Sequence, residues 1–265
     1  MPWTIERRHP HVAVVTMNTN KVNAQNPAFF ADLHAAFDRL EAEFADCAVV
    51  LTGSGAVFSA GLDFDHHFPL FARRSLKEID AWFDAYRATN LRLFAYPRPT
   101  VAAINGHAYA GGLITALDCD HRIAVEGPLQ FSLNEVPIGI PMPAVYCEII
   151  KHAIGPRAAF ELTLFGQIYD LPAASRLGIV QQTTAPDELL NAAVVWAALV
   201  PPDCHAAYAF SKRALQATAM TAIDQAARLD RDWLSRGMSD PGSIQAHARR
   251  YRELKGKETT WPLPA

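Results

Sequence analysis

Short apolar runs alternate along this chain with segments of helical periodicity, and that alternation limits the possible folds more than any other feature. The runs Val12–Met17, Ala48–Gly53 and Thr100–Ile104 have the length and apolar character of buried strands. A helix opening at Asn26-Pro27 and an amphipathic helix over Leu76–Phe94 lie between them. Strands that alternate with helices predict an α/β fold with right-handed crossovers. Two further strand candidates lie at residues 122–125 and 179–183.

The pattern changes after about Pro201, where strand candidates cease. Three helical segments are predicted nearly back to back, at about residues 203–217, 221–237 and 241–255. We therefore expect two parts, a core of residues 1–200 and a C-terminal helical region of residues 201–265. The apolar faces of these helices need either the core or another subunit to cover them.

Composition excludes some partners before any motif is considered. The formal net charge of −3 gives no general attraction for nucleic acid or an anionic membrane, so an anionic ligand needs a local basic cluster. Residues 189–200 form the longest apolar stretch, which is too short to span a bilayer, and residues 1–8 lack the apolar core of a signal peptide. The four cysteines show no metal-type spacing, and the adjacent His66 and His67 have no third ligand. We expect a cytoplasmic protein with no metal site.

Two glycine-containing turns are candidates for a ligand site. Residues 58–64 read FSAGLDF, and residues 105–117 read NGHAYAGGLITAL, with Gly111 and Gly112 between a strand and a helix beginning near Leu113. Glycine lets a backbone approach a ligand closely, and the first turn of a helix has unpaired N–H groups that favour negative charge. Taken alone, either turn is better explained by tight packing of a helix on a strand.

One carboxylate stands in an otherwise apolar segment, residues 130–141. If Glu135 is buried there, loss of solvation raises its pKa toward the range of a general base. If it lies at the surface, it is an ordinary loop carboxylate. The segment by itself does not decide between these two interpretations.

Taken together and in this order, the three motifs resemble those of the crotonase superfamily (the enoyl-CoA hydratase/isomerase family), over nearly the whole chain. The resemblance implies an α/β fold with a crotonase-like spiral core of ββα units and a C-terminal helical trimerisation region. It also implies that the backbone N–H groups of Leu62 and Gly111 form an oxyanion hole for the thioester carbonyl of an acyl-coenzyme A. Glu135 would be the acid–base group. In such a site one backbone donor is worth about 3 kcal/mol of transition-state stabilisation.

The same resemblance assigns residues to the coenzyme A moiety. The backbone of Asn23 and Ala24 is expected at the adenine, and the segment that begins at Ala60 is expected along the pantetheine arm. The predicted substrate-binding set is Asn23, Ala24, Ala60, Gly61, Leu62, Asp63, Phe64, Gly111 and Asn134. Candidates for the phosphates are Lys21, Arg73 or Arg74, and Lys255 or Lys257 of a neighbouring subunit, each more simply explained as a solvated charge. Coenzyme A is part of the substrate, and no further cofactor is expected.

Within the family, three sequence motifs of this chain most resemble those of the Δ3,Δ2-enoyl-CoA isomerase branch. They are the Leu-Asn-Glu that ends at Glu135, the upstream FSAGLD, and a Ser-Ile-Gln that begins at Ser243. The family's hydratases carry a second glutamate where this chain has Ile114, and some other members carry an aspartate where it has Pro143. One carboxylate suffices to move a double bond from C3 to C2 of an acyl-CoA. The resemblance therefore implies an isomerase of fatty acid metabolism, assembled as a homotrimer or a dimer of trimers.

Other functions stay open at this stage. A hydratase or hydratase-lyase could use a different second acid, for which Asp63 and Tyr109 are the nearest candidates by motif. A non-catalytic acyl-CoA-binding or RNA-binding relative is a second alternative, although the acidic balance disfavours RNA and Glu135 disfavours an inactive protein. A dinucleotide-dependent oxidoreductase is excluded, because no Gly-x-Gly-x-x-Gly follows the first strand.

Overall fold

The computed structural model of the chain describes residues 3–73, 75–259, 261 and 263. Arg74, a candidate for phosphate binding, lies outside the described residues. The three apolar runs form strands with the predicted bounds, and their side chains are almost all buried. The Asn26 side chain accepts a hydrogen bond from Phe29 N at 3.1 Å, which caps the helix that the Asn-Pro pair predicts.

Two sheets lie at the centre of the described chain. The larger sheet has the order β1-β2-β3-β5-β7-β10, in which β1 pairs with β2 antiparallel and the other neighbours are parallel. The smaller sheet has the order β4-β6-β8-β9, with β4, β6 and β8 parallel and β9 antiparallel to β8. The strands are β1 (Thr4–His9), β2 (Val12–Met17), β3 (Ala48–Gly53), β4 (Val57–Ser59), β5 (Thr100–Ile104), β6 (His107–Tyr109), β7 (His121–Val125), β8 (Gln130–Ser132), β9 (Tyr169–Asp170) and β10 (Gln182–Thr184).

Helices cover both sheets and form the C-terminal part of the chain. Among the residues that the structure describes, no helix is both long and apolar enough to cross a membrane. The helices are α1 (Pro27–Glu43), α2 (Phe64–Ala72), α3 (Leu76–Phe94), α4 (Gly111–Leu117), α5 (Ala144–Ile154), α6 (Pro156–Phe165), α7 (Leu171–Arg176), α8 (Leu189–Ala197), α9 (His205–Met238) and α10 (Pro241–Lys255). Short 3₁₀ turns lie at Val136–Ile138, Pro186–Glu188 and Pro202–Cys204.

The chain advances as a spiral in which each turn adds one strand to each sheet. β3 is followed by β4, β5 by β6 and β7 by β8, and a helix follows β4 and β6. Parallel neighbours in both sheets require these long crossovers. This arrangement confirms the predicted α/β class and the crotonase-like ββα spiral with C-terminal helices.

Some predicted bounds were wrong. The segments 203–217 and 221–237 are one continuous helix, α9, because the residues between them are ordinary helix-tolerant side chains with no glycine or proline. The helix after the glycine pair begins at Gly111, not near Leu113. The last strand is Gln182–Thr184 and not 179–183, since Ile179 and Val180 are buried in the connection before it.

The C-terminal helices cover the core of their own chain. Tyr251 Oη donates a hydrogen bond to Asp65 Oδ1 at 2.7 Å, and Lys255 Nζ lies 2.7 Å from Asp65 Oδ2, which ties α10 to α2. An apolar cluster separate from the main core also joins these helices. Its residues come from α2, α3, the 130–141 segment, α9 and α10, together with Trp261. Its members are Phe68, Phe71, Ile79, Ile138, Ile140, Leu234, Met238, Tyr251 and Trp261. The helical region beyond residue 200 is thus packed on the spiral core.

Candidate active site

The turn after β4 leaves one backbone N–H unpaired. Gln25 N donates to Gly61 O at 2.8 Å, and Asp63 N donates to Gln25 O at 3.0 Å. Leu62 lies between these two bonds, and its own N–H donates to no other described residue. Gly61 has φ of +77°, a conformation that glycine adopts at little cost. The Leu62 N–H therefore points away from Gln25, the residue to which the turn is hydrogen-bonded.

The turn after β6 presents a second N–H group. Ala110 has φ of +50° and ψ of −129°, which is strained for a residue with a side chain. Its N–H donates to Ser132 O at 2.8 Å, and α4 then begins at Gly111. As the first residue of a helix, Gly111 has no intrahelical acceptor for its N–H, and no other described residue accepts it. This N–H lies at the positive end of α4.

These two turns are in direct contact. A Cβ atom built on Gly61 would lie 2.7 Å from Ala110 Cβ and 3.0 Å from Gly111 N. A Cβ atom does not come this close to atoms to which it is not bonded, so only glycine permits the approach at position 61. The unpaired amides of Leu62 and Gly111 are therefore close neighbours, as an anionic oxygen bound by both would require.

Glu135 is buried, and its environment raises its pKa. The side chain is 7% exposed, and its Oε2 atom has no hydrogen-bond partner among the described residues. Loss of solvation raises the pKa of this carboxyl to about 7. A hydrogen bond from its own backbone lowers the pKa, but it offsets only part of that rise. The surface interpretation of Glu135 was wrong, and the group has the pKa of a general base near neutral pH.

The smaller sheet explains why these groups meet. Leu62 lies three residues after the end of β4, Gly111 two residues after the end of β6, and Glu135 three residues after the end of β8. The three strands are parallel neighbours, so their carboxyl ends lie at one edge of the sheet. Ligand sites of α/β proteins form at such edges. The structure thus places the three residues for which the sequence predicted chemistry at the same edge of the smaller sheet.

The segment predicted to contact the adenine, Asn23 and Ala24, is hydrogen-bonded to β4, which leads into the first turn. Asn23 is fully buried with φ of +47°, and its Nδ2 atom donates to Val57 O and Phe58 O, each at 3.2 Å. Its carbonyl accepts a hydrogen bond from Ser59 Oγ at 2.8 Å. The side-chain N–H group and the backbone carbonyl of Asn23 are thus both hydrogen-bonded within the protein. Ala24 N is held by Asn20 Oδ1 at 3.0 Å.

The remaining predicted contacts flank the sheet edge. Asp63 caps α2 by accepting a hydrogen bond from Asp65 N at 3.1 Å, and Phe64 stacks on Phe68 with ring centroids 4.1 Å apart. Asn134 and Tyr109 line a cavity of about 280 Å³ together with Arg249 and Arg250, and Glu135 is not among the described residues around that cavity. Tyr109 is hydrogen-bonded to Gln130.

The basic residues that are candidates for binding the phosphates of coenzyme A have different contacts in the structure. Lys21 is exposed, and Arg73 is paired with Glu78 at 3.1 Å. Lys255 is bound to Asp65 of the same chain, so it reaches the segment after Phe64 without a neighbouring subunit. Lys257 lies 5.9 Å from the centre of the Tyr251 ring. Lys255 is therefore held at Asp65, directly after the predicted pantetheine segment.

The two positions at which the family resemblance places a further carboxylate, residues 114 and 143, carry none here. Ile114 lies in the first turns of α4 and is 2% exposed, and Pro143 precedes α5. In the described part of the chain, no group of three or more His, Cys, Asp or Glu residues is placed to hold a metal ion. His67 is instead buried with its Nε2 atom 2.8 Å from Gln25 O.

Gln25 is hydrogen-bonded to both turns, and the sequence interpretation did not single it out. Its backbone pairs with the turn around Leu62, and its side chain reaches Gly111 O at 3.1 Å. Its position directly after Asn23 and Ala24 was the available signal.

Comparisons with known proteins identify the family of the chain. The family described as Enoyl-CoA hydratase/isomerase matches residues 7–257, and the chain belongs to that family. The human protein named Enoyl-CoA delta isomerase 1, mitochondrial, is 30% identical over 253 residues, which are 92% of this chain and 82% of the relative. A Thermus thermophilus protein named as a candidate enoyl-CoA hydratase is 34% identical over 225 residues, 83% of this chain and 86% of the relative. The crystal structure of human mitochondrial Δ3-Δ2-enoyl-CoA isomerase has a TM-score of 0.84 at 27% identity, covering 97% of this chain and 99% of that one.

The contact between the two turns can be tested with a matched pair of glycine substitutions. Gly178 has φ of +76° with nothing within 4 Å of a built Cβ, whereas Gly61 has φ of +77° and a blocked Cβ position. Gly178→Ala should cost about 1–2 kcal/mol of unfolding free energy from the backbone conformation alone. Gly61→Ala should cost roughly 1–3 kcal/mol more because Ala110 and Gly111 must move. Denaturant titration of both variants measures the difference, and equal losses would show that the turns do not touch.

The raised pKa of Glu135 predicts a pH-dependent stability difference. In the folded state the pKa is about 7, and the ordinary value is 4.5, so the unfolded chain ionises first as the pH rises. The contribution of Glu135 to the stability of the wild-type protein should therefore fall between about pH 4.5 and 7, by a total of about 3 kcal/mol. Glu135→Gln, which has no charge to bury, should therefore become more stable than wild type over that interval and match it below. Urea titrations at pH 4, 5.5, 7 and 8 measure this, and a constant difference across them would contradict it.

Proposed function

We propose that the protein is an enoyl-CoA isomerase that shifts the double bond of a 3-enoyl-CoA to give the 2-enoyl-CoA. The observation that carries the proposal is the buried Glu135 carboxyl, with its pKa raised to about 7, at the sheet edge that also presents the two unpaired amides. Ile114 and Pro143 occupy the positions at which other family members carry a further carboxylate. The similarity to the human isomerase over almost the whole chain supports the same choice.

In this mechanism the thioester oxygen is held by the N–H groups of Leu62 and Gly111, which act as an oxyanion hole. The Glu135 carboxylate removes a proton from C2, and the electron pair moves into the thioester to give a dienolate. Both amides then bind developing negative charge, a contribution of several kcal/mol at the transition state. The protonated Glu135 returns the proton at C4, and the double bond forms between C2 and C3. No water and no second acid takes part.

The acid–base properties of Glu135 suit both halves of this transfer. A carboxyl with a pKa of about 7 is substantially ionised at neutral pH, so it can accept the first proton. The same pKa makes its protonated form stable enough to carry the proton between C2 and C4, while still being able to release it. A solvated glutamate, ionised at much lower pH, would be a weaker base by a factor of a few hundred in equilibrium terms.

Hydration of a 2-enoyl-CoA is the second candidate function, because relatives such as the Thermus thermophilus protein carry a hydratase name. Water addition ordinarily needs a second group to orient and deprotonate the water. Ile114 cannot do this, and Asp63 is engaged as the cap of α2. The geometry therefore supports isomerisation better than hydration.

Replacing Glu135 by Gln preserves the shape of the side chain and removes the base. Formation of 2-enoyl-CoA from a 3-enoyl-CoA should fall by roughly two to four orders of magnitude. Acyl-CoA should still raise the Tm of the variant as it raises that of wild type, because the amides and the segments around them are unchanged. Glu188→Gln, at an exposed glutamate, is the matched control and should retain full activity.

The two candidate functions give different results in the same assay. Rapid hydration of 2-enoyl-CoA by wild type that is lost in Glu135→Gln would keep Glu135 as the base but make the protein a hydratase. Rapid hydration that survives the substitution would reject the mechanism altogether. Ile114→Glu should add some hydration if the missing second carboxylate is what limits that reaction, provided that the buried charge leaves the fold intact.

We also propose that the protein assembles as a homotrimer or a dimer of trimers, as the family resemblance implies. Large apolar side chains on α9 are more than half exposed in the single chain, which supports an interface there. They are Phe210, Leu215, Leu229 and Trp233. With 29.1 kDa per chain, light scattering should give three or six times that mass. A monomer at micromolar concentration would reject this assembly.

A further inference from the structure

Gln25 contacts both turns that present the unpaired amides. Its backbone N–H donates to Gly61 O at 2.8 Å, and its carbonyl accepts from Asp63 N at 3.0 Å, so it holds the residue on either side of Leu62. The same carbonyl is 2.8 Å from His67 Nε2. Two hydrogen bonds thus fix the first turn against Gln25, and the contact with His67 adds α2.

The side chain of Gln25 holds the second turn. Its Nε2 atom donates to Gly111 O at 3.1 Å and to Thr115 Oγ1 at 2.9 Å, and its Oε1 atom accepts from Tyr86 Oη at 3.2 Å. Thr115 Oγ1 in turn donates to Gly111 O at 3.0 Å. Gly111 O can only accept, and the Thr115 hydroxyl has already donated its proton to it, so the amide can take only this orientation. The side chain of Gln25 is fully buried, with every polar group satisfied.

Gln25 also limits the position of Gly111 by contact. A Cβ atom built on Gly111 would lie 2.2 Å from Gln25 Oε1 and 2.4 Å from Tyr86 Oη. The Cα of Gly111 therefore rests directly against the hydrogen-bonded pair of side chains. Because Ala110, the preceding residue, is in a strained conformation, the surroundings must hold the Ala110–Gly111 peptide in place. That peptide carries the N–H group that faces the proposed oxyanion.

We propose that Gln25 is a positioning residue that sets the separation and direction of the Leu62 and Gly111 N–H groups. The inference rests on the proposed function, because it assigns those two amides to the enolate oxygen. Donors stabilise an oxyanion strongly only within 2.7–3.1 Å of it, and the two amides lie on turns far apart in the sequence. Gln25 is the residue that is hydrogen-bonded to both turns at once. A leucine of similar size could fill the same space but could hold neither Gly111 O nor Thr115.

The test measures enolate binding directly, without turnover. A 3-ketoacyl-CoA has an acidic C2 proton, and its enolate can be followed by ultraviolet absorbance while the pH is varied. Wild-type protein should lower the pKa of the bound 3-ketoacyl-CoA, because the two amides stabilise the enolate. Gln25→Leu should raise that pKa by about one to two relative to wild type, which corresponds to a 10- to 100-fold weaker hold on the enolate. Affinity for free CoA, which has no carbonyl at the site, should change less than two-fold.

A matched control separates positioning from general damage to the core. Gln216 is also a buried glutamine, 4% exposed, and its Nε2 atom donates to Phe94 O at 2.8 Å. Gln216→Leu makes the same chemical change on α9 and should leave the pKa of the bound 3-ketoacyl-CoA unchanged. Tyr86→Phe removes the donor to Gln25 Oε1 and should raise that pKa by a smaller amount. The double variant Gln25→Leu/Tyr86→Phe should be no worse than Gln25→Leu, since both act through the same contacts.

Each result has a definite meaning. Enolate binding in Gln25→Leu equal to that of wild type, or equal effects of Gln25→Leu and Gln216→Leu, would overturn the positioning role. If Gln25→Leu does not fold, Tyr86→Phe decides, and an unchanged pKa of the bound 3-ketoacyl-CoA in that variant overturns the proposal. Wild type that fails to lower this pKa also overturns it. A protein that lowers the pKa through Gln25 but does not isomerise 3-enoyl-CoA would refute the proposed function and leave the positioning role supported.

Discussion

The approach of Gly61 to Ala110 and Gly111 is the contact on which the rest of the site depends. Backbone from two different turns meets there at a distance that excludes any side chain at position 61. The parallel pairing of β4 with β6 brings the two turns to one edge, and β8 adds the segment that carries Glu135. Strands of only three residues are enough for this purpose, because their function is to bring three loops into register.

This arrangement places unfavourable features together at one edge of the sheet. Ala110 is strained, the Leu62 and Gly111 amides have no acceptor in the described chain, and Glu135 is buried without a partner for Oε2. Each feature costs stability, and they coincide where a thioester oxygen and an acidic C2 proton would bind. Polar groups that a ligand would satisfy are expected to be left unsatisfied in its absence. The surrounding core, with its fully buried parallel strands, offsets that cost.

The parts of the fold that could be predicted from sequence are those fixed by local pattern. Ala48–Gly53 and Leu76–Phe94 have the predicted bounds because apolar runs and helical periodicity act over neighbouring residues. The short strands of the smaller sheet were not predicted, because three residues are too few to show a periodicity. Gln25 was missed for another reason: its side chain is hydrogen-bonded to Gly111, 86 residues away, and its place directly after Asn23 and Ala24 is a weak local signal. Glu135 could be singled out only because a carboxylate in an apolar segment is unusual in itself.

The interior position of Ile114 bears on the choice between isomerisation and hydration. Its side chain is almost completely buried three residues after Gly111, on the helix whose first N–H faces the proposed oxyanion. If a carboxylate at position 114 shared a poorly solvated region with Glu135, the two like charges would raise each other's proton affinity. An isoleucine removes that coupling and leaves the proton affinity of Glu135 to burial alone, which is the cause identified for its raised pKa. It also offers water no hydrogen bond beside the base. A dienolate formed at this edge would therefore have one proton source, Glu135, and returning that proton at C4 is the step that completes an isomerisation.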